Sequence, residues 1–201
     1  LEAGLTLDEV IETVADAAGA AAERCGVEVR LTVVAVRASD PLVNAEVAHA
    51  AVAHRADGIT GFDLAGEEAG YPASHHDAAY EEAHRHFLRK TVHAGEAYGP
   101  ESIYAAIVRC HAERIGHGTF VFDDGRVYGR DTKEKAAYTD ELAEYIATMR
   151  ITVEVCPTSN LQTIPELAGD IRNHPVKRMI ERGMAVAIAT DNTLVSHTDL
   201  N

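Results

Sequence analysis

The stretch Thr91-Val92-His93-Ala94-Gly95-Glu96 decides how this chain is read. Lys90 to His93 is short, apolar and β-prone, and it breaks into Ala94-Gly95 with a histidine at the break and a glutamate three residues on. A strand end is a rigid platform, and the loop leaving it holds polar groups over a cleft. His93 can bind a metal through a ring nitrogen and Glu96 can carry a proton, the two functions that metal-assisted hydrolysis needs. The same pair also suits a buried histidine beside a surface glutamate. Two further strand-end sites downstream favour the chemical reading.

Outward from this point, strand and helix alternate. Leu5 to Cys25 reads as a helix capped by Thr6, with Leu7, Val10, Ile11, Val14 and Ala18 on one face. Strands are expected at Val27–Val36, Ile59–Leu64, Lys90–His93, Arg114–Gly118, Ile151–Val155 and Met184–Ala189. Helices are expected at Asn44–His54, Ala78–Leu88, Glu101–His111, Lys133–Met149 and Pro175–Arg182, and Cys156–Asn160 reads as a polar strand-end loop. Such alternation implies parallel strands joined by right-handed crossovers. Every polar constellation follows a strand, where α/β barrels and open α/β sheets both place their sites.

Bulk properties narrow the function. The 201 residues, 46% hydrophobic and 25% charged, suit one globular domain with a real core. A net charge of −14 argues against non-specific binding to nucleic acid or to an anionic membrane. No apolar run is long enough to span a bilayer. The start, Leu1-Glu2-Ala3-Gly4-Leu5, has neither a signal-peptide layout nor an initiator Met, so the chain is expected to begin inside a longer protein. Cys25, Cys110 and Cys156 are far apart and form no Cys-x-x-Cys, which disfavours a cysteine zinc site and fits reduced thiols in a cytoplasm. There is no Gly-x-Gly-x-x-Gly and no Gly-Lys-Ser/Thr, so a nucleotide phosphate cradle is not expected.

Three more strand ends carry candidate groups. His117, in Ile115-Gly116-His117-Gly118, has flanking glycines that let a neighbour approach closely. It could serve as a general base, steady an activated water, or be a structural imidazole in a tight turn. Asp191 follows the apolar run Val186 to Ala189, where a carboxylate is costly to bury unless paired or bound to a cation; a helix cap is the alternative. Asn192 adds an amide that both donates and accepts. Gly66, after Asp63-Leu64-Ala65, could present a backbone N–H to a ligand or simply make a turn. Cys156 reads as structural, because nothing favours its thiolate. His75, His76, His84 and His86 read as solvated surface.

Together these motifs resemble the adenosine deaminase family of metal-dependent hydrolases. Thr91 to Glu96, Arg114 to Gly118, Cys156-Pro157-Thr158-Ser159-Asn160 and Ala189-Thr190-Asp191-Asn192 stand in the family's order and spacing, and Asp63 to Glu68 matches the preceding strand. The resemblance runs from about Val27 to Asn201 and looks most like bacterial members. It implies an α/β fold of the (β/α)8 TIM-barrel type and a Zn2+ ion with His93 and Asp191 as ligands. Glu96 is then the proton donor to purine N1, and His117 orients or deprotonates the attacking water. Gly66 is the backbone donor to N3, and Asn192 stands where many members have an aspartate that contacts N7. N7 only accepts, and an asparagine donates at any pH, so that departure is compatible with purine binding. The implied reaction is hydrolytic deamination at C6 of a 6-aminopurine nucleoside, adenosine to inosine and ammonia, by addition and then elimination.

The reading leaves part of the family pattern unfilled. Six strands are counted, whereas a closed barrel has eight. The family's first-strand His-x-His, which supplies two more zinc ligands, has no counterpart; His84-Arg85-His86 lies in a helical stretch. Residues 1–201 are therefore expected to be one catalytic barrel domain in partial form, without the first strands and final helices. On its own this piece is expected to bind zinc weakly and to show no useful turnover, whereas the intact protein is expected to be active. The alternatives are a deaminase of adenine or a modified adenosine, a non-catalytic ligand-binding relative, and an unrelated open α/β module in which His93 and Asp191 lie far apart. The sequence leaves oligomeric state open.

Overall fold

A computed structural model describes residues 4–199. Leu1, Glu2, Ala3, Leu200 and Asn201, the ends from which the chain was expected to be partial, lie outside the described residues. In chain order the elements are α1 (Leu7–Cys25), β1 (Leu31–Val36), α2 (Pro41–Ala53), β2 (Ile59–Ala65), α3 (Asp77–Arg85), β3 (Arg89–Ala94) and α4 (Pro100–Cys110). There follow β4 (Arg114–His117), α5 (Thr132–Thr148), β5 (Thr152–Val155), α6 (Pro157–Thr163), α7 (Val176–Glu181), β6 (Ala185–Ile188) and α8 (Thr193–Ser196).

The six strands form one parallel sheet in the order β1-β2-β3-β4-β5-β6. Each strand pairs with its successor in sequence. A doubly wound sheet would reverse its strand order at a switch point, and this one does not. Consecutive parallel order is the winding of a barrel wall. Every strand thus delivers its C-terminal end to the same rim, which is what can gather residues as distant as His93 and Asp191.

Strand β3 is buried along nearly its whole length, as a strand covered on both faces must be. Phe62, Leu64, Val92, Ile115, Val153 and Ile146 are among the core side chains, none more than 1% exposed. Lys90 is also buried, its Nζ 2.9 Å from Glu113 Oε1 and 3.0 Å from the Leu88 carbonyl. Among the described residues no helix is long and apolar enough to cross a membrane. All three cysteines are free thiols.

The local signals place helix starts well. Thr6 caps α1 in a reciprocal capping box with Glu9, and Asp131 with Glu134 does the same for α5. Two expectations change. The first strand begins at Leu31 and not at Val27, because its partner begins only at Ile59, after the Asp57-Gly58 turn. The expected loop at Cys156–Asn160 is mostly helix: Pro157 occupies the first turn of α6, where its missing N–H costs nothing.

Candidate active site at the strand ends

His93 is the penultimate residue of β3 and pairs in register with Gly116 of β4. A Cβ on Gly116 would lie 3.1 Å from His93 Cγ, so the glycine next to His117 makes room for the His93 ring. The Asp63 carboxylate, from β2, contacts His93 Nδ1 at 3.1 Å. With Nδ1 on a carboxylate, Nε2 is left for a metal, the usual support for a histidine ligand. Burial pushes the His93 ring toward neutrality, but Asp63, with Glu96 and Asp191 behind it, outweighs burial and raises its pKa.

His117 ends β4 with φ at 68°, in the left-handed region. Alternation along the strand would put it on the face of Ile115, which registers with Val92 and not with His93. The positive φ swings the ring out of that alternation, and it meets His93 edge-on with centroids 5.0 Å apart. Its Nε2 stands 3.6 Å from Glu96 Oε2. His117 is 2% exposed, and burial is the main cause that lowers its pKa. Asp191, three residues beyond β6, also has a positive φ, 59°. Such conformations cost about 1–3 kcal/mol each and cluster at functional sites.

Asp191 is steadied by Ser159, whose hydroxyl donates to Oδ2 at 2.6 Å. Ligand atoms of His117, Cys156 and Asp191 lie within 4.8 Å of one another. Cys156 stays a thiol: burial first, and Asp191 second, push its pKa up to about 12, and it donates weakly to the Glu154 carbonyl. His93, Glu96, His117 and Asp191, from three strand ends, therefore gather at one rim. His93 joins the group through its contacts with His117 and Asp63 and stands outside the tight His117–Cys156–Asp191 trio.

Gly66 lies one residue past β2 with φ at 98°. The Oδ1 of Asn192 caps α8, accepting from Leu194 N–H at 3.1 Å and Val195 N–H at 3.0 Å. The cap uses the oxygen and leaves both Nδ2 hydrogens to donate.

Several supporting residues carry no local signal in the sequence. Glu68 is buried, and its carboxylate accepts from the backbone N–H groups of Gly95, Glu96, Ala97 and Tyr98 and from the Ser102 hydroxyl. Arg37 is 1% exposed and its guanidinium donates to the carbonyls of His93 and Tyr71, tying the end of β1 to β3. His76, expected on the surface, is 1% exposed and bridges Asn44 to the Arg37 carbonyl. His54 and His174 are buried too. The partners of Glu68, Arg37 and His76 lie at least 27 residues away in sequence, which no local pattern can announce.

The donor set suits a divalent ion that prefers nitrogen and oxygen. His93 can offer Nε2, its Nδ1 being held by Asp63, and Asp191 has one oxygen not held by Ser159. Two donors are one short of the three protein ligands usual at a catalytic zinc.

The family model described as adenosine deaminase matches residues 1–201. An adenosine deaminase of Mycobacterium ulcerans is 40% identical over 98% of this chain and 54% of that protein. Adenosine deaminase 1 of Streptomyces coelicolor is 36% identical over 100% of this chain and 50% of that protein. The chain thus spans about half the length of the curated relatives it matches. Among solved structures, an adenine deaminase from Arthrobacter aurescens superimposes with a TM-score of 0.76 at 26% identity, over 95% of this chain and 53% of that one. An amidohydrolase from Burkholderia ambifaria with bound zinc gives a TM-score of 0.82 at 23% identity, over 98% of this chain and 50% of that one, a likeness of fold. The full-length match to the family model, on a singly wound parallel sheet with its polar motifs at one rim, shows that the chain belongs to the adenosine deaminase family.

Proposed function

We propose that this chain forms part of a zinc-dependent catalytic barrel that hydrolytically deaminates a 6-aminopurine nucleoside, adenosine to inosine and ammonia. The observation that carries the reading is the gathering of His93, Glu96, His117 and Asp191 at one rim. The curated relatives named adenosine deaminase support the choice of substrate.

His93 and Asp191 would hold the zinc, which when bound supplies the Lewis acidity that makes water nucleophilic near neutral pH. Glu96 delivers a proton to purine N1 as oxygen adds at C6, so negative charge does not build on the ring. His117, fixed between His93 and Glu96, orients the attacking oxygen. Asn192 donates from Nδ2 to N7, and the Gly66 N–H donates to N3. Reduced thiols fit a cytoplasmic protein, and a small purine is the partner the site is built for.

A second substrate reading has its own support, since a solved relative at 26% identity is an adenine deaminase. The test is deamination by the intact, zinc-loaded protein, followed by the ultraviolet change from 6-amino- to 6-oxopurine, with adenosine and adenine compared. Turnover of adenosine with a much higher kcat/KM than adenine is expected. Glu96→Gln should lower kcat by about 10²–10⁴-fold, the usual worth of a positioned proton donor. No turnover of either purine by the zinc-loaded protein would sink the proposal.

A further inference from the structure

Behind His117 runs a buried chain of hydrogen bonds whose direction can be read from one end. It starts at the Val176 backbone N–H, which donates to His174 Nδ1 at 3.0 Å. A backbone amide has only a hydrogen to offer, so that ring nitrogen carries a lone pair and the ring proton sits on Nε2. His174 Nε2 is 3.2 Å from Asn160 Oδ1, which fixes the carboxamide with its oxygen toward His174. Asn160 Nδ2 is then turned to His117 Nδ1, at 2.9 Å. The NH2 group only donates, so His117 Nδ1 is an acceptor and bears no proton. Asn160, His117 and His174 are 0%, 2% and 4% exposed, so bulk water offers no competing partner. Ring tautomers and amide orientations are set by such networks.

We propose that His174 and Asn160 are positioning residues that lock His117 in the Nε2–H tautomer, so that it meets the substrate site as a hydrogen-bond donor and not as the reaction's base. The catalytic half of this statement rests on the deaminase reading; the tautomer does not.

The consequence for the reaction is specific. Nε2 is the nitrogen that faces Glu96, 3.6 Å away, and it is already protonated. It can donate to the oxygen adding at C6 and stabilise charge there, but it has no lone pair with which to take that water's proton. The proton passes instead to the Asp191 carboxylate, on Oδ2, which the Ser159 hydroxyl holds in place while Oδ1 is left to the metal. The C6–O bond forms as the Glu96 proton arrives on N1. In the second half the C6–N bond breaks, ammonia leaves with the proton held by Asp191, and the C6 hydroxyl proton returns to Glu96 as the 6-oxo group forms. His117 keeps its proton throughout.

The experiment is 15N-histidine NMR of the intact protein at a pH where the ring is neutral, with the His117 signals assigned by their loss in His117→Gln. A proton on Nε2 and a bare Nδ1 are expected. A proton on Nδ1 would overturn the proposal, and this measurement needs no variant of the relay itself. In Asn160→Asp both carboxylate oxygens accept, which draws the His117 proton to Nδ1 and leaves Nε2 bare toward the site. Its kcat should fall by about 100-fold, the order lost with one oriented donor, with KM and bound zinc little changed. A flipped tautomer with unchanged kcat would overturn the donor role. An Nε2–H ring in a zinc-loaded protein that deaminates no purine would uphold the lock, and the deaminase reading would fall together with the catalytic half.

Discussion

The Glu68 carboxylate accepts the backbone N–H of Glu96 at 3.1 Å, together with those of Gly95, Ala97 and Tyr98. One buried acid from the loop after β2 thereby fixes the loop that carries the candidate proton donor after β3. Burial alone would push the Glu68 carboxyl up. The Ser102 hydroxyl and the amides of Tyr98, Ala97 and Gly95 outweigh it, and its pKa lies below 4.5.

This clamp predicts both a cost and a pH dependence. Glu68→Ala leaves buried amides without an acceptor and should destabilise the protein by about 3 kcal/mol, measured by denaturant unfolding. The folded pKa is depressed, so the clamp's contribution is complete above 4.5 and is lost as pH falls through the folded value. The stability difference between wild type and Glu68→Gln should therefore narrow toward strong acid. A difference that does not vary with pH would contradict this account.

Asp63 should matter through the metal. Its carboxylate fixes His93 at Nδ1, and loss of such a partner typically costs about 10–100-fold in metal affinity. Asp63→Asn should show that loss in a competitive zinc titration while far-ultraviolet circular dichroism stays unchanged. Wild-type affinity in the variant would mean that His93 is not a ligand.

Gly116 is expected to tolerate no side chain without cost to the site. An alanine there would press on His93 Cγ at 3.1 Å and on Cα at 3.2 Å, so the ring must shift by a few tenths of an ångström. Gly116→Ala should lower kcat more than it lowers the melting temperature, because the backbone needs no left-handed φ at this position. Parallel activity and thermal-melt measurements would separate the two effects.

His54 joins α1 to the turn after α2. Its Nδ1 is 2.8 Å from Asp57 Oδ2 and its Nε2 is 3.0 Å from Asp8 Oδ1. The bond to Asp57 is the largest cause that raises its pKa above 6.5. A raised folded pKa gives stability that is complete below the unfolded value and is lost as pH rises through the folded one. His54→Gln should therefore be less stable than wild type at pH 6, with the gap closing in alkali. Equal gaps at pH 6 and pH 9 would show that the imidazolium contributes nothing.

How much was legible follows from the range of each signal. Thr6 announces a helix start, Asp57-Gly58 a stop, and Met184 to Ala189 a strand, because these preferences act within a few residues. The motif residues could be nominated because each follows such a strand. The short α6 was hidden, since Ser159 and Asn160 read as loop formers. Their side chains find partners in Asp191 and His117, 32 and 43 residues away.

The sequence by itself determined the alternating strands and helices, their parallel winding, and the placing of His93, His117 and Asp191 at strand ends, since local periodicity and turn chemistry dictate all three. Only the tertiary structure decided which groups support them. Asp63 behind His93, Glu68 under Glu96, and the His174–Asn160 relay behind His117 all depend on buried polar groups finding partners across the fold. Away from water such a group must be hydrogen-bonded, and the element that supplies its partner is set by packing, not by neighbours in the chain.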